Sequence, residues 1–141
     1  FDLSKLVLMG HSGGGTATTY TAAMEDRIKI AVSSCGMATY KGSISALHHC
    51  SCNYVPGIVR YFEMSDLALM AFPKYFVQVN GNADDNHFPD GPANEIAKTV
   101  KEGYTALGRP DAYTHIMGNG GHDFYADEAW PVIEKYLKEL G

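Results

Sequence analysis

Long apolar runs are missing from this sequence. No segment approaches the roughly 18 uninterrupted apolar residues that a membrane-crossing helix requires, so no membrane partner is expected. Positive charge is scarce: Lys and Arg total 11 against 16 Asp and Glu, a formal net charge of -5. That balance argues against a nucleic-acid partner, which a basic patch would mark. Cysteine is scarce too, with only Cys35, Cys50 and Cys52. An odd count at these spacings is not a disulfide framework, so reduced thiols and a cytoplasmic setting are expected. No basic stretch leads into an apolar segment and a small-residue cleavage site. The chain opens at Phe1 rather than Met, however, so its silence about targeting carries little weight. Repeats and low-complexity tracts are absent. What is left, 141 residues with 45% hydrophobic content, suits one globular domain.

Strand and helix signals alternate along the chain. Lys5 to Met9, Ile28 to Ser33, Tyr75 to Val79 and Ala112 to Met117 are short apolar runs, most ending at Gly, Asn or Ser, and read as buried strands. Thr16 to Met24 fits a helix. Ile96, Val100, Tyr104 and Leu107 recur at helical spacing before Gly108, and Ala126 to Leu140 carries an apolar stripe with Pro131 in its first turn. Repeated strand–helix alternation indicates a mostly parallel sheet with helices on both faces, a three-layer α/β fold. Residues 36–72 interrupt the alternation as an aromatic, irregular insertion, in which Ser65 before Asp66-Leu67 is the expected N-cap of a short helix.

The stretch LVLMGHSGGGTATTY poses the functional question. A glycine cluster between strand and helix cradles a phosphate or exposes a nucleophile. A P-loop needs Lys after its second glycine, but Thr16 stands there; a dinucleotide fingerprint needs a glycine where Ser12 stands. The G-x-S-x-G elbow is satisfied by Gly10-His11-Ser12-Gly13-Gly14, with a strand before and a helix after. In that motif the serine sits on a sharp turn, and flanking glycines are expected because side chains would collide there.

A serine hydroxyl needs a base, and the base needs a carboxylate to hold its tautomer. Both belong in loops at strand C-terminal ends. NGNADDNHFP after the third strand offers Asp84 and Asp85, and GNGGHDF after the fourth offers His122. The order Ser, Asp, His is the one the elbow architecture requires.

Gly10 to Gly15, Asn80-Gly81 to Phe88-Pro89 and Gly120-Gly121-His122 together resemble the α/β-hydrolase superfamily, and more narrowly its acetyl xylan esterase and dienelactone hydrolase-like branch. HHCSCNYVPGI followed by MSDLALMAFP resembles the insertion of carbohydrate esterases in that branch. The resemblance implies Ser12 as nucleophile, His122 as base, and the N–H of Gly13 as an oxyanion donor. Asp84, three residues after Gly81, is implied as the acid. Counting back from Phe88-Pro89 selects Asp85 instead; the rigid strand end favours Asp84. The expected activity is two-step hydrolysis of small carboxylic esters, acetylated sugars among them, without metal or organic cofactor. A prolyl-oligopeptidase-like peptidase and a non-catalytic binding module are the competing readings.

Family members have a larger sheet, so the chain is expected to be the C-terminal part of a single α/β-hydrolase domain spanning 1–141. Strand Lys5 to Met9 would then be an unpaired edge, and the second oxyanion donor would lie in an earlier loop. A preceding segment or a second chain would complete the sheet, and the isolated chain is expected to be nearly inactive.

Other features are set aside at this stage. His48, His49, Cys50 and Cys52 have zinc-compatible chemistry but no finger spacing. Tyr54, Tyr61, Phe62, Met64 and Met70 read as core or lid. Cys35 and His115 read as structural, His11 as packing beneath the elbow, and His87 as loop packing or pocket edge. No substrate-binding residue can be named.

Overall fold

The computed structural model describes residues 2–141. Four strands, β1 (Val7–His11), β2 (Ile30–Ser34), β3 (Tyr75–Gly81) and β4 (Tyr113–Gly118), form one parallel sheet in the order β1-β2-β3-β4. Four α-helices accompany them: α1 (Gly13–Met24), α2 (Met64–Met70), α3 (Asp90–Ala106) and α4 (Ala126–Glu139). No helix among the described residues is long and apolar enough to cross a membrane.

Strand side chains alternate between faces, and their partners reveal the layers. On β2 and β3, Ser33 and Gln78 are in register. Ser33 Oγ donates to the carbonyl of Gly15 in α1, and Gln78 Nε2 donates to the carbonyl of Ala93 in α3. Tyr75, on the opposite face of β3, stacks on Tyr136 of α4 with ring centroids 4.3 Å apart. Helix α2 packs between α1 and α3. Three helices therefore cover one face and α4 covers the other, as the strand–helix alternation predicts.

The inner strands β2 and β3 are buried at every residue. The core is built on Ile30, Val32, Phe76, Val77, Ile96, Val100, Tyr104, Ile133 and Tyr136, each almost fully buried. Each such side chain supplies roughly 1.5–3 kcal/mol of transfer free energy. A polar thread runs through this core. Tyr113 Oη donates to Gln78 Oε1 at 2.6 Å, and Gln78 Nε2 also donates to Asn80 Oδ1. Asn80 Nδ2 donates to the Met37 carbonyl, and His115 Nε2 lies 3.3 Å from Asn80 Oδ1. His115 is thus a structural histidine, and burial pushes its pKa down to about 4.

Several local expectations need correction. β1 starts at Val7, because Leu3–Lys5 form a 3-10 turn capped by Asp2 Oδ1, which accepts from the Ser4 N–H. Helix α1 begins at Gly13, so the glycine cluster itself forms its first turn. Glu63, not Ser65, caps α2: its carboxylate accepts from the Met64 N–H, while Asp66 Oδ2 accepts from the Glu63 N–H. Ser65 lies buried inside that helix. Of the five aromatic and Met residues read as core or lid, Met64 alone is core; Tyr54, Tyr61, Phe62 and Met70 are exposed.

β1 occupies one edge of the sheet and pairs only with β2 among the described residues. None of its residues is fully buried, and Met9 is 38% exposed.

Candidate active site

The C-terminal ends of β1, β2, β3 and β4 converge, because parallel strands present all their outgoing loops at one end of the sheet. Ser12 follows β1 directly and has φ 57° and ψ -121°. A non-glycine residue rarely adopts positive φ, and holding one there costs on the order of 1–3 kcal/mol. The turn is fixed by its backbone: the Ser12 N–H donates to the Ser34 carbonyl at 2.8 Å, and the Thr16 N–H donates to the Ser12 carbonyl at 3.0 Å.

Steric demand at the elbow differs from the motif's expectation. A Cβ on Gly10 would overlap the Gly14 carbonyl, and one on Gly15 would come 2.5 Å from the Ser34 carbonyl oxygen. A Cβ on Gly14 would meet nothing within 4 Å. The close packing of α1 on the sheet therefore needs Gly10 and Gly15. Gly14, the second glycine of the pentapeptide, has room to spare among the described residues.

Opposite the elbow, the loops after β3 and β4 are laced together. The Asn82 N–H donates to the Gly118 carbonyl, the Ala83 N–H to the Gly120 carbonyl at 2.8 Å, and the Gly120 N–H to Asn82 Oδ1. A Cβ on Gly81 would overlap the Gly121 carbonyl, so the loops can approach this closely only with glycine there. The result is one short hydrogen bond: His122 Nδ1 lies 2.6 Å from Asp84 Oδ2. Asp84 is buried, at 3% relative exposure, whereas Asp85 is exposed. The strand end thus aims Asp84 inward and the next residue outward. With Nδ1–H donated to a carboxylate, the lone pair of His122 sits on Nε2, available as a proton acceptor.

Histidines surround this pair. The His11 ring lies 4.8 Å from that of His122, and its Nδ1 is 2.9 Å from Ser34 Oγ. It stands largely open to solvent rather than packed beneath the elbow, and partial desolvation of its ring together with the neighbouring His122 lowers its pKa. The His87 ring lies 4.5 Å from that of His122, and Phe88 stacks near-parallel to His122 at 6.2 Å. Ser12 makes no hydrogen bond to His122 among the described residues; His122 is bonded through its Asp84 side. The Gly13 N–H belongs to the first turn of α1, where helix geometry leaves N–H groups without intrahelical acceptors.

The candidate zinc ligands are not assembled. His49 is buried with Nε2 3.1 Å from Ser43 Oγ, while Cys50 and Cys52 are exposed. Ligand atoms of Cys35, Asp84 and His122 do lie within 4.8 Å of one another. Burial and the Asp84 charge push the Cys35 thiol up to about 11, and a metal there would have to displace the Asp84–His122 bond. Cys35 has φ 43° and donates to the Asp123 carbonyl. Sequence reasoning placed neither Cys35 nor His87 beside the Asp–His pair. The sole hint for His87 was its position three residues after Asp84 in a turn.

No family model matches the chain. Over 135 residues it is 27% identical to the Bacillus subtilis protein named "Putative hydrolase YtaP", covering 92% of this chain and 45% of that relative. Among solved structures it is similar to a glucuronoyl esterase from Sporotrichum thermophile, with TM-score 0.76 and 16% identity over 99% of this chain and 46% of that one. A methylesterase superposes with TM-score 0.76 and 18% identity, over 98% of this chain and 30% of the other. A carbohydrate esterase family 15 glucuronoyl esterase from Caldicellulosiruptor kristjansonii gives TM-score 0.74 and 12% identity, over 95% and 42%. The chain has an α/β-hydrolase fold. It spans less than half the length of the curated hydrolase relative. Within that fold Ser12 lies at the strand-to-helix turn after β1, Asp84 in the loop after β3 and His122 in the loop after β4.

Proposed function

We propose that the chain carries the catalytic residues of a serine carboxylic-ester hydrolase acting on sugar esters. The observation that carries this reading is the 2.6 Å bond from buried Asp84 to His122, set across the sheet end from a serine on a positive-φ elbow. In this mechanism Ser12 Oγ attacks the ester carbonyl carbon while His122 Nε2 takes its proton. Asp84 holds the imidazole and stabilises the imidazolium. The carbonyl oxygen, now an oxyanion, receives the Gly13 N–H. His122 then gives its proton to the departing alkoxide, leaving an acyl-Ser12 ester. Water, deprotonated by His122, attacks that ester, and the acid leaves as Ser12 regains its proton. The Ser12–His122 bond forms in the substrate complex, where such catalytic bonds often tighten.

Acetylated sugars and uronate esters are both within this substrate class. The likeness to the glucuronoyl esterases and the methylesterase supports the class. The outer edge of β1 is where further strands of the same domain would pair, bringing the second oxyanion donor with them. Three free cysteines fit a reducing compartment, consistent with a cytoplasmic setting.

The test uses the complete protein. A fluorophosphonate probe should label Ser12 and fail on Ser12→Ala, and hydrolysis of acetylated and uronoyl esters should fall by at least about 1,000-fold in that variant. Full ester hydrolysis by Ser12→Ala would overturn the reading.

A further inference from the structure

Asp84 holds His122 with only one of its two oxygens. Oδ2 accepts from His122 at 2.6 Å, while Oδ1 faces His87 Nδ1 at 3.5 Å, and the Asp84 side chain is 1% exposed. Buried polar atoms are ordinarily hydrogen-bonded. His87 Nδ1 is sealed from solvent and has no hydrogen-bond partner, and it lies 3.5 Å from Asp84 Oδ1. A buried nitrogen able to donate and a buried oxygen able to accept thus stand within a few tenths of an ångström of a bond.

The backbone around His87 holds this near-contact in place. Ser43 Oγ, from the insertion, donates to the His87 carbonyl at 2.5 Å and also meets His49 Nε2. The His87 ring lies against His122 on one side, and the His49 ring stands edge-on with its centroid 6.1 Å away. Phe88, the next residue, is fully buried and anchors the loop from below.

We propose that His87 is a positioning residue of the same site: its Nδ1–H braces Asp84 Oδ1, so that the carboxylate is gripped by two imidazoles and cannot rotate away from His122. The idea rests on the catalytic reading of Asp84 and His122 given above. The insertion thereby acts on the chemistry through Ser43 and His87 without itself touching the reacting atoms.

Two substitutions separate bracing from packing. His87→Phe keeps a ring against His122 and removes the donor. His87→Asn places an amide N–H close to where Nδ1 stood. In the complete protein, kcat of His87→Phe should fall about tenfold with KM within about twofold, because the effect is on the alignment of the base rather than on substrate binding. The low-field proton resonance of the His122 Nδ1–H bond should broaden or move upfield in the same variant. His87→Asn should restore both. His87→Phe matching the wild type in kcat and in the resonance would overturn the proposal, as would His87→Asn failing as badly as His87→Phe. The resonance decides even if no ester is turned over. In that event the catalytic reading fails while the bracing of Asp84 is still measured.

Discussion

The two sides of the candidate site are held by different means. On the β3–β4 side, Asp84 and His122 are fixed by side-chain chemistry: a short bond, a buried carboxylate, and loops laced by Asn82, Gly118 and Gly120. On the β1 side, Ser12 is fixed by backbone geometry: a positive φ, a bond from its N–H to Ser34, and the close approach of α1 that Gly10 and Gly15 permit. The first side sits at the end of the fully buried β3, the second at the end of a partly exposed edge strand. The comparison teaches that one side is sensitive to side-chain identity and the other to any added atom near the chain.

The largest effect should come from breaking the β3–β4 side by its chemistry. Asp84→Asn preserves shape but reverses the tautomer preference of His122, and ester hydrolysis should drop by about 10,000-fold. Asp85→Asn, one residue along and exposed, should stay within about twofold; equal losses in both variants would show that the loop, rather than one carboxylate, matters. Next comes the β1 side. Gly10→Ala forces a Cβ into the Gly14 carbonyl and should destabilise the fold by at least about 2 kcal/mol in denaturant melts, whereas Gly14→Ala should cost under about 1 kcal/mol. Matching losses would mean that Gly14 packs against something beyond the described residues.

A smaller, pH-dependent effect sharpens the same contrast within the β3–β4 half. Burial holds His115 at about 4 in the folded chain, against 6.5 for the free side chain. Between those values the unfolded chain binds a proton that the folded chain refuses, so stability should decline as pH falls from 6.5 toward 4 and level off below. His115→Gln should flatten that decline, read as midpoint denaturant concentration against pH. A modest change is expected at Glu63, whose removal as Glu63→Ala should cost about 1 kcal/mol through the lost α2 cap and leave the Asp84–His122 bond unmoved.

Much of this architecture was legible beforehand, for identifiable reasons. Strands such as Tyr75–Gly81 are short apolar runs, and Ile96, Val100 and Tyr104 share one helix face; both patterns follow from local periodicity. The G-x-S-x-G turn and the two strand-end loops were legible because parallel sheets put their outgoing loops at one end. Boundaries slipped where a cap decided them: Asp2 delays β1, and Glu63 starts α2 ahead of Ser65. Whether Gly14 or Gly15 is the constrained glycine was illegible, because it depends on how near α1 comes to Ser34.

The sequence by itself determined the layer plan, the order of Ser12, Asp84 and His122, and the lack of a P-loop lysine or a dinucleotide-binding glycine pattern at the glycine cluster, since each depends on residue type and spacing along the chain. The tertiary structure alone decided that Asp84 rather than Asp85 faces His122, and that His87 and Cys35 lie beside them. The physical reason is that adjacent residues in a loop share composition and neighbourhood but point in different directions. Direction is set by hydrogen bonds and close packing between segments far apart in the chain, such as those joining Ala83 to Gly120 and Ser12 to Ser34.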